Sequence, residues 1–242
     1  MGDDGLMTDQ LTIPAHFNGP PESANGGWFA GRLAGVLRAA DAAITTVTVR
    51  LSEPPPLDVP MDVAVVDGGI ELRAKDVRVA TASATPDLSP PAITPVPYAV
   101  ALGCGPAYEG LAKHPFPTCY SCGPARDDGL GLRPGRVPGG AGEYAAAWRP
   151  TEVSVENVWA ALDCPGGWSA GIAGRPMVLG TITARVGALP DTDEECVVMA
   201  WPGPAAGRRF ASGSAVFGAD GRLLGQAESV WIAVDPAAIR PR

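Results

Sequence analysis

Basic residues are few in this 242-residue sequence, with 18 Lys and Arg against 26 Asp and Glu, and they form no cluster. The net charge is −8, whereas nucleic acids and anionic membrane surfaces bind clustered positive charge. Neither is therefore an expected partner. Charged residues of both signs are also scarce, at 18%, while hydrophobic residues reach 46%. This balance argues against a disordered chain and predicts a globular protein with a substantial core.

The sequence also lacks a hydrophobic targeting segment. Residues 1–6 are acidic and contain no apolar run, unlike a secretory signal. Residues 88–108 carry no charge, but five prolines interrupt them, and a membrane helix would not tolerate these. The five cysteines are an odd number without any mark of export, which indicates reduced thiols. We therefore expect a cytoplasmic protein that does not enter a membrane.

Two parts of the chain show the same order of predicted elements. In each part a small-residue helix is followed by β-branched segments that predict an antiparallel meander. Helix followed by meander is an α+β pattern. The sequence thus predicts an internal duplication, with a first domain at 1–85, a Pro/Gly/Cys-rich connection at 86–140 and a second domain at 141–242. Helices are predicted at 27–43, at 155–162 and from Gly166 onward, and strands at 11–17, 44–51, 61–66, 70–82, 143–148, 178–186, 196–201, 208–217 and 223–234.

Each half carries a Gly-Gly-Trp motif, at residues 26–28 and again at residues 166–168. Glycines at a helix start leave backbone N–H groups uncovered by a Cβ atom, so a ligand oxygen can approach them. Backed by the helix dipole, such groups stabilise the oxyanion that forms when a carbonyl is attacked. A plain turn is the competing interpretation of either motif. The recurrence favours carbonyl-binding sites, with Gly27 and Gly167 supplying catalytic amides.

Local signatures in both halves resemble those of TesB-like acyl-CoA thioesterases. They lie at residues 25–33, 160–163 and 221–228, while residues 119–132 resemble the entry to thioesterases of the PaaI type. The resemblance implies a tandem (double) hotdog fold, in which each half is a central helix wrapped by an antiparallel sheet. It also implies hydrolysis of an acyl-CoA or carrier-linked acyl thioester at the interface of the halves, without a cofactor. Strand edges and the habit of the fold lead us to expect a homodimer.

The same resemblance places a catalytic aspartate at Asp163, close to the helix start predicted at Gly166. This carboxylate would activate water or attack the thioester directly. Capping of the helix is the alternative role for Asp163. The predicted substrate-binding residues are Asn25, Gly26, Trp28, Gly166, Trp168, Thr181 and Gln226.

Departures from the PaaI pattern leave a non-catalytic function open. Enzymes of that type carry a histidine before Gly-Gly and an acid about two turns into the helix. Asn25 and Pro165 occupy the first of these positions in the two halves, and Ala34 and Gly174 occupy the second. A double hotdog that binds acyl groups or another partner without hydrolysis is therefore the alternative function.

A hotdog acyl dehydratase is a further minor alternative. The sequence from His16 to Pro20 resembles the histidine motif of those enzymes, which pair the histidine with a glutamate on the helix. Ala30 occupies the corresponding place here. Because dehydration needs both groups to move protons, a loop histidine without a catalytic role fits His16 better.

Four residues in the connection have a spacing that could hold one zinc ion: Cys104, His114, Cys119 and Cys122. A structural zinc site usually shows two compact ligand pairs, and only the last two residues form one. The chain contains only two histidines, and neither lies near Cys164 in the sequence. We therefore expect unligated thiols, no metal and no Cys–His nucleophile.

Overall fold

The computed structural model describes residues 10–235, 237 and 239. The described residues form eleven strands in one antiparallel sheet, together with three α-helices. The strands are β1 Gln10–Leu11, β2 Thr46–Leu51, β3 Met61–Val66, β4 Gly69–Ala74, β5 Val77–Ala84, β6 Gly135–Arg136, β7 Tyr144–Trp148, β8 Met177–Val186, β9 Cys196–Ala206, β10 Arg209–Phe217 and β11 Leu223–Ala233. The helices are α1 Gly26–Ala40, α2 Tyr98–Cys104 and α3 Val155–Ser169.

The order of the strands repeats around the centre of the sheet. It runs β1-β3-β4-β5-β2-β8-β11-β10-β9-β7-β6, so the four strands that follow α1 mirror the four that follow α3. The central pair, β2 and β8, is antiparallel, and Thr48 lies opposite Thr183 with their hydroxyl oxygens 2.8 Å apart. Equivalent strands therefore meet at an approximate twofold axis, which supports the predicted internal duplication. The exact domain boundaries at 85 and 141 stay a prediction.

Helices α1 and α3 pack against each other on one face of the sheet. Helix α1 buries Phe29, Leu33 and Leu37, which are spaced four residues apart on one face. The two helices approach closely because α1 has glycines where they meet. A Cβ atom on Gly27 would overlap Asp163 and the Trp159 carbonyl of α3. The pattern of small residues thus brings the start of α1 against the middle of α3.

The prediction that a helix begins at Gly166 is wrong, because α3 runs without interruption from Val155 to Ser169 and includes Pro165. It begins after Ser154, whose side chain accepts a hydrogen bond from the Asn157 amide at 3.0 Å. Around the proline, hydroxyl groups from outside the helix satisfy carbonyl groups of α3. These bonds join the Ser121 and Ser214 hydroxyls to the carbonyls of Ala160 and Leu162, at 2.8 and 2.6 Å.

Two shorter segments also differ from the predictions. The strand predicted at residues 11–17 is limited to β1, and Ala15–Phe17 forms a 3₁₀ turn instead. The proline-rich connection contains the seven-residue α2, which begins directly after Pro97, where a proline does not interrupt helical hydrogen bonds. Among the described residues, no helix has the length and hydropathy needed to cross a bilayer.

Candidate active site

A pocket of about 300 Å³ lies where the start of α1 meets the second half of α3. Apolar side chains from β8 and β11, among them Leu179 and Trp231, form much of its lining. Glu53 and Asp235, which follow β2 and β11, are part of the lining. The other titratable groups and several polar ones come from three places, namely the start of α1, helix α3 and the connection. They include Asn25, His114, Cys119, Cys122, Asp163 and Cys164.

Asp163 is buried, with only 3% of its surface exposed, and it lines this pocket. Its Oδ2 atom accepts a hydrogen bond from the Gly27 amide at 2.9 Å. Its Oδ1 atom is also buried and makes no hydrogen bond to a described residue. Burial raises the pKa of the Asp163 carboxyl to about 7, although the Gly27 amide and the nearby Asn25 side chain favour the ionised form. Asp163 lies in the ninth position of α3, so it does not cap that helix and instead faces the start of α1.

In the first turn of α1, each backbone amide except one donates a hydrogen bond to an identified acceptor. Asn25 caps the helix, since its Oδ1 atom accepts from the Trp28 amide at 2.9 Å and its carbonyl accepts from the Phe29 amide at 3.0 Å. The Gly27 amide, predicted to bind a substrate oxyanion, is engaged by Asp163. Among the described residues, none supplies an acceptor for the Gly26 amide, and Gly26 lines the pocket. The available donor is therefore one residue earlier than predicted.

The second Gly-Gly-Trp motif lies in the last turn of α3 rather than at a helix start. Amide groups within a helix are bonded to carbonyls one turn earlier, so the predicted donor pair at Gly166 and Gly167 does not form. These glycines instead make room for the sheet, since a Cβ atom on Gly167 would lie 2.9 Å from the indole ring of Trp231. Trp168 is buried and does line the pocket.

The other predicted binding residues lie elsewhere. The Trp28 ring stacks on Phe17 with ring centroids 3.8 Å apart, and the Gln226 amide donates to two carbonyls of the connection at 3.2 Å. Thr181 pairs with Arg50 and Val230 inside the sheet. None of these three side chains belongs to the described lining of the pocket. Their role in binding stays a prediction without support from the pocket geometry.

His16 lies outside the pocket lining as well. Its Nδ1 atom is 3.3 Å from the Asp128 carboxylate, and both side chains are largely exposed. Ala30, at the position of the dehydratase glutamate, is buried in the core. The pair of proton-transfer groups that a dehydratase needs does not assemble from these residues.

Three cysteines from distant parts of the chain meet beside Asp163, which the sequence analysis did not predict. The sulfur atoms of Cys119, Cys122 and Cys164 all lie within 4.8 Å of one another. Cys104 belongs to a separate cluster of core residues, so the four residues whose spacing could hold zinc do not come together. Hydrogen bonds from the other two thiols lower the pKa of Cys119, whereas burial raises the pKa of Cys122. The Cys119-x2-Cys122 spacing and the position of Cys164 next to Asp163 were the available sequence signals.

No protein-family model and no curated protein sequence matches this chain. Its structure is similar to several solved ones. A conserved protein with hot dog fold from Alicyclobacillus acidocaldarius has a TM-score of 0.61 at 16% identity, with 94% of this chain and 93% of that chain covered. The acyl-CoA thioesterase II TesB2 from Mycobacterium marinum has a TM-score of 0.58 at 13% identity, with 90% and 92% covered. The dehydratase domain of a mycocerosic acid synthase-like polyketide synthase has a TM-score of 0.57 at 12% identity, with 93% and 90% covered.

These similarities extend over nearly the whole chain but at low sequence identity, so they establish the architecture and leave the chemistry to the site. Thioesterases are among the proteins of this architecture, as is a dehydratase domain. The chain has an α+β double hotdog fold, as the local signatures of both halves predicted.

Proposed function

We propose that this protein hydrolyses an acyl thioester, carried by coenzyme A or by an acyl-carrier group, in the pocket between α1 and α3. The observation that carries the proposal is the position of Asp163. Its carboxylate is buried in the pocket wall at the positive end of α1, with one oxygen held by Gly27 and the other without a partner among the described residues. A buried acceptor atom without a partner is costly, and in a pocket wall it is available to a water molecule or a ligand.

The pocket suits a ligand that is apolar along most of its length and polar at one end. Apolar groups of β8 and β11 would surround the acyl chain, while the polar groups at the start of α1 would meet the thioester. The Gly26 amide is placed to donate to the thioester carbonyl oxygen, and it would strengthen that bond as negative charge develops there. The same backbone group would thus orient the substrate and stabilise the intermediate.

Asp163 would then act as a general base on a water molecule. The carboxylate takes a proton from the water, whose oxygen forms a bond to the carbonyl carbon. The resulting tetrahedral intermediate collapses as the carbon–sulfur bond breaks. The departing sulfur takes the proton from Asp163, so one thioester and one water become one carboxylic acid and one thiol. Gly27 holds the carboxylate in place through Oδ2 and leaves Oδ1 for the water.

The test is thiol release from a panel of short, long and aromatic acyl-CoAs and acyl-pantetheines. Asp163→Asn should lower kcat/KM by about 10²-fold or more, since general-base catalysis contributes that much. Glu156→Gln is the matched control, because it neutralises another acid of α3 that does not line the pocket. A folded Asp163→Asn protein with full activity would refute the assignment of the base.

Binding without hydrolysis is the second candidate function. The bond from the Gly27 amide to Asp163 favours it, because this carboxylate could serve only to satisfy the start of α1. In that case the same panel would bind, as measured by calorimetry, without any release of thiol. Calorimetry and thiol release on the same samples therefore separate the two functions.

We also propose that the protein works in the cytoplasm and as a homodimer. All five cysteines lie in the described part of the chain as buried, unpaired thiols, which fits a reducing compartment. The two edge strands, β1 and β6, contain two residues each, and such short edges disfavour pairing of sheets edge to edge. A dimer would therefore use another surface, and sedimentation of the purified chain tests whether it forms.

A further inference from the structure

We propose that Cys119, Cys122 and Cys164 form a zinc site at the wall of the pocket. Their sulfur atoms lie within 4.8 Å of one another, and those of Cys119 and Cys164 are 3.6 Å apart. Zinc–thiolate bonds of about 2.3 Å in a tetrahedral arrangement separate neighbouring sulfurs by about 3.8 Å. Only small side-chain rotations would therefore be needed to place all three sulfurs around one ion.

The compact pair, Cys119 and Cys122, belongs to a tight turn that presents both sulfurs on one side. The Gly123 amide donates to the Cys119 carbonyl at 2.8 Å. A Cβ atom on Gly123 would approach the backbone of Cys119 and Pro117 to 2.5 Å, so this turn requires glycine. A backbone organised in this way fixes two ligands before any ion arrives, which lowers the entropy cost of binding. Cys164 supplies the third ligand from α3.

Side-chain N–H groups point at these sulfurs. The Asn25 Nδ2 atom lies 3.5 Å from Cys119 and 3.8 Å from Cys164, and the His114 Nε2 atom lies 3.4 Å from Cys122. Neutral thiols carry their own protons and do not need three additional donors, whereas thiolates accept such bonds and are the form that binds metal. The surroundings of the cluster therefore favour ligation over plain core packing.

His114 acts beside the ligands rather than as one of them. Its Nδ1 atom accepts a hydrogen bond from the Phe116 amide at 2.9 Å, so this nitrogen carries no proton. The proton of the neutral ring must then lie on Nε2, where it faces the Cys122 sulfur. Hydrogen bonds of this kind orient metal ligands and tune the ion. The site thus has three protein ligands.

A fourth position would open toward the pocket, because all three cysteines line it. Zinc sites with three protein ligands keep the fourth for water or another small molecule, whereas purely structural sites are closed by four ligands. The ion would also fasten the connection to α3 next to Asp163. This inference does not depend on the proposed hydrolysis, since metal content is measured without any substrate.

The experiment begins with the full chain purified under reducing conditions with zinc and dialysed against metal-free buffer. Elemental analysis should find about one zinc ion per chain. Cys119→Ser, Cys122→Ser and Cys164→Ser should each weaken zinc binding by at least about tenfold, measured by competition with a chelating dye. Cys104→Ser is the matched control, because this buried cysteine lies outside the cluster.

A measurement on the unaltered chain keeps the test decisive if a serine variant fails to fold. Cobalt(II) added to the metal-free protein should give the intense visible bands of a tetrahedral ion and the near-ultraviolet bands of thiolate ligation. Zinc should abolish both. A wild-type chain that binds neither zinc nor cobalt, or that takes up only copper(I), would overturn the proposal. Unchanged zinc binding in all three folded serine variants would overturn it equally.

Discussion

The substitution Gly27→Ala tests the packing on which the whole site depends. A methyl group at this position would overlap the Asp163 Cβ atom, and it would lie 2.5 Å from the Trp159 carbonyl oxygen. Both atoms belong to a buried helix and cannot move aside as the end of a flexible side chain could. Helices α1 and α3 would have to separate, and the bond from the Gly27 amide to Asp163 would lengthen or break.

The magnitude follows from three contributions to the free energy of unfolding. Forcing a methyl group into a packed interface costs about 1–3 kcal/mol, and loss of a buried hydrogen bond to a carboxylate costs about 1.5–3 kcal/mol. Replacing glycine by alanine inside a helix returns about 1 kcal/mol. The expected net effect of Gly27→Ala is a destabilisation of about 1.5–5 kcal/mol.

Gly35→Ala is the matched control on the same helix. Apart from the backbone of its own helix, no atom of the described residues lies within 4 Å of a Cβ atom placed on Gly35. Only the helix propensity therefore changes, and the protein should gain up to about 1 kcal/mol. Urea unfolding followed by circular dichroism and by tryptophan fluorescence gives both values. Equal stability of the two variants, or a Gly27→Ala protein as stable as wild type, would refute the close packing of the two helices.

Two further predictions concern the pocket and the second half of the sheet. Gly26→Pro removes the amide proposed as oxyanion donor, and the first helical position tolerates proline, so kcat should fall by about 10²-fold. Glu194 is half-buried, which raises its pKa, but bonds from Arg222 and from the Asp191 and Ala219 amides lower it more. Because the folded pKa lies below the ordinary value of 4.5, this carboxylate stabilises the fold above that pH, and its contribution is lost as the pH falls further.

Each of these predictions has its own control. Gly26→Ala adds a Cβ atom at the same place but keeps the N–H group, so it should retain most of the turnover that Gly26→Pro loses. Equal kinetics of the two variants would exclude the Gly26 amide as a donor. For Glu194, urea unfolding of wild type and Glu194→Gln should differ at pH 7, and the difference should shrink as the pH falls below 4.5. A difference that stays constant over this range would contradict the lowered pKa.

Local sequence patterns were sufficient for most strands and for α1. Alternating and β-branched segments predicted β3 at Met61–Val66 with its observed bounds, and the four-residue spacing of Phe29, Leu33 and Leu37 identified the buried face of α1. These features depend on residues that are close in the sequence. The periodicity of hydrophobic residues therefore indicates the type of element and the face that it buries.

The misassigned part of α3 shows where local patterns are insufficient. Pro165, Gly166 and Gly167 are all poor helix formers, and their succession predicted a break. The helix continues because of contacts with distant residues, including the Ser214 hydroxyl on the Leu162 carbonyl and the Trp231 ring against Gly167. Tertiary packing overrides intrinsic propensity here, and a single sequence does not display it.

The sequence indicated single residues of the candidate site but not which of them lie together in the folded chain. The resemblance indicated Asp163, yet its partner Gly27 lies in the other half of the chain. The thiol cluster was missed for the same reason, because the third cysteine is supplied by α3. These groups come together only where α1 and α3 cross. The crossing depends on the fold as a whole and not on the residues next to each group in the sequence.

The pairing of β2 with β8 places the two halves in the arrangement that two identical subunits would have in a dimer. Here, however, both halves belong to one covalent chain. Two identical subunits must carry every feature twice, whereas the halves of this chain are free to diverge. At the place equivalent to Gly27, the second residue of α3 is Glu156, which forms an ion pair with Arg32 at 3.0 Å. Ala34 stands at the ninth position of α1, where α3 has Asp163. The symmetry of the architecture is therefore broken in its chemistry. Under the proposed function, a saturated molecule would hold one acyl group per chain rather than two.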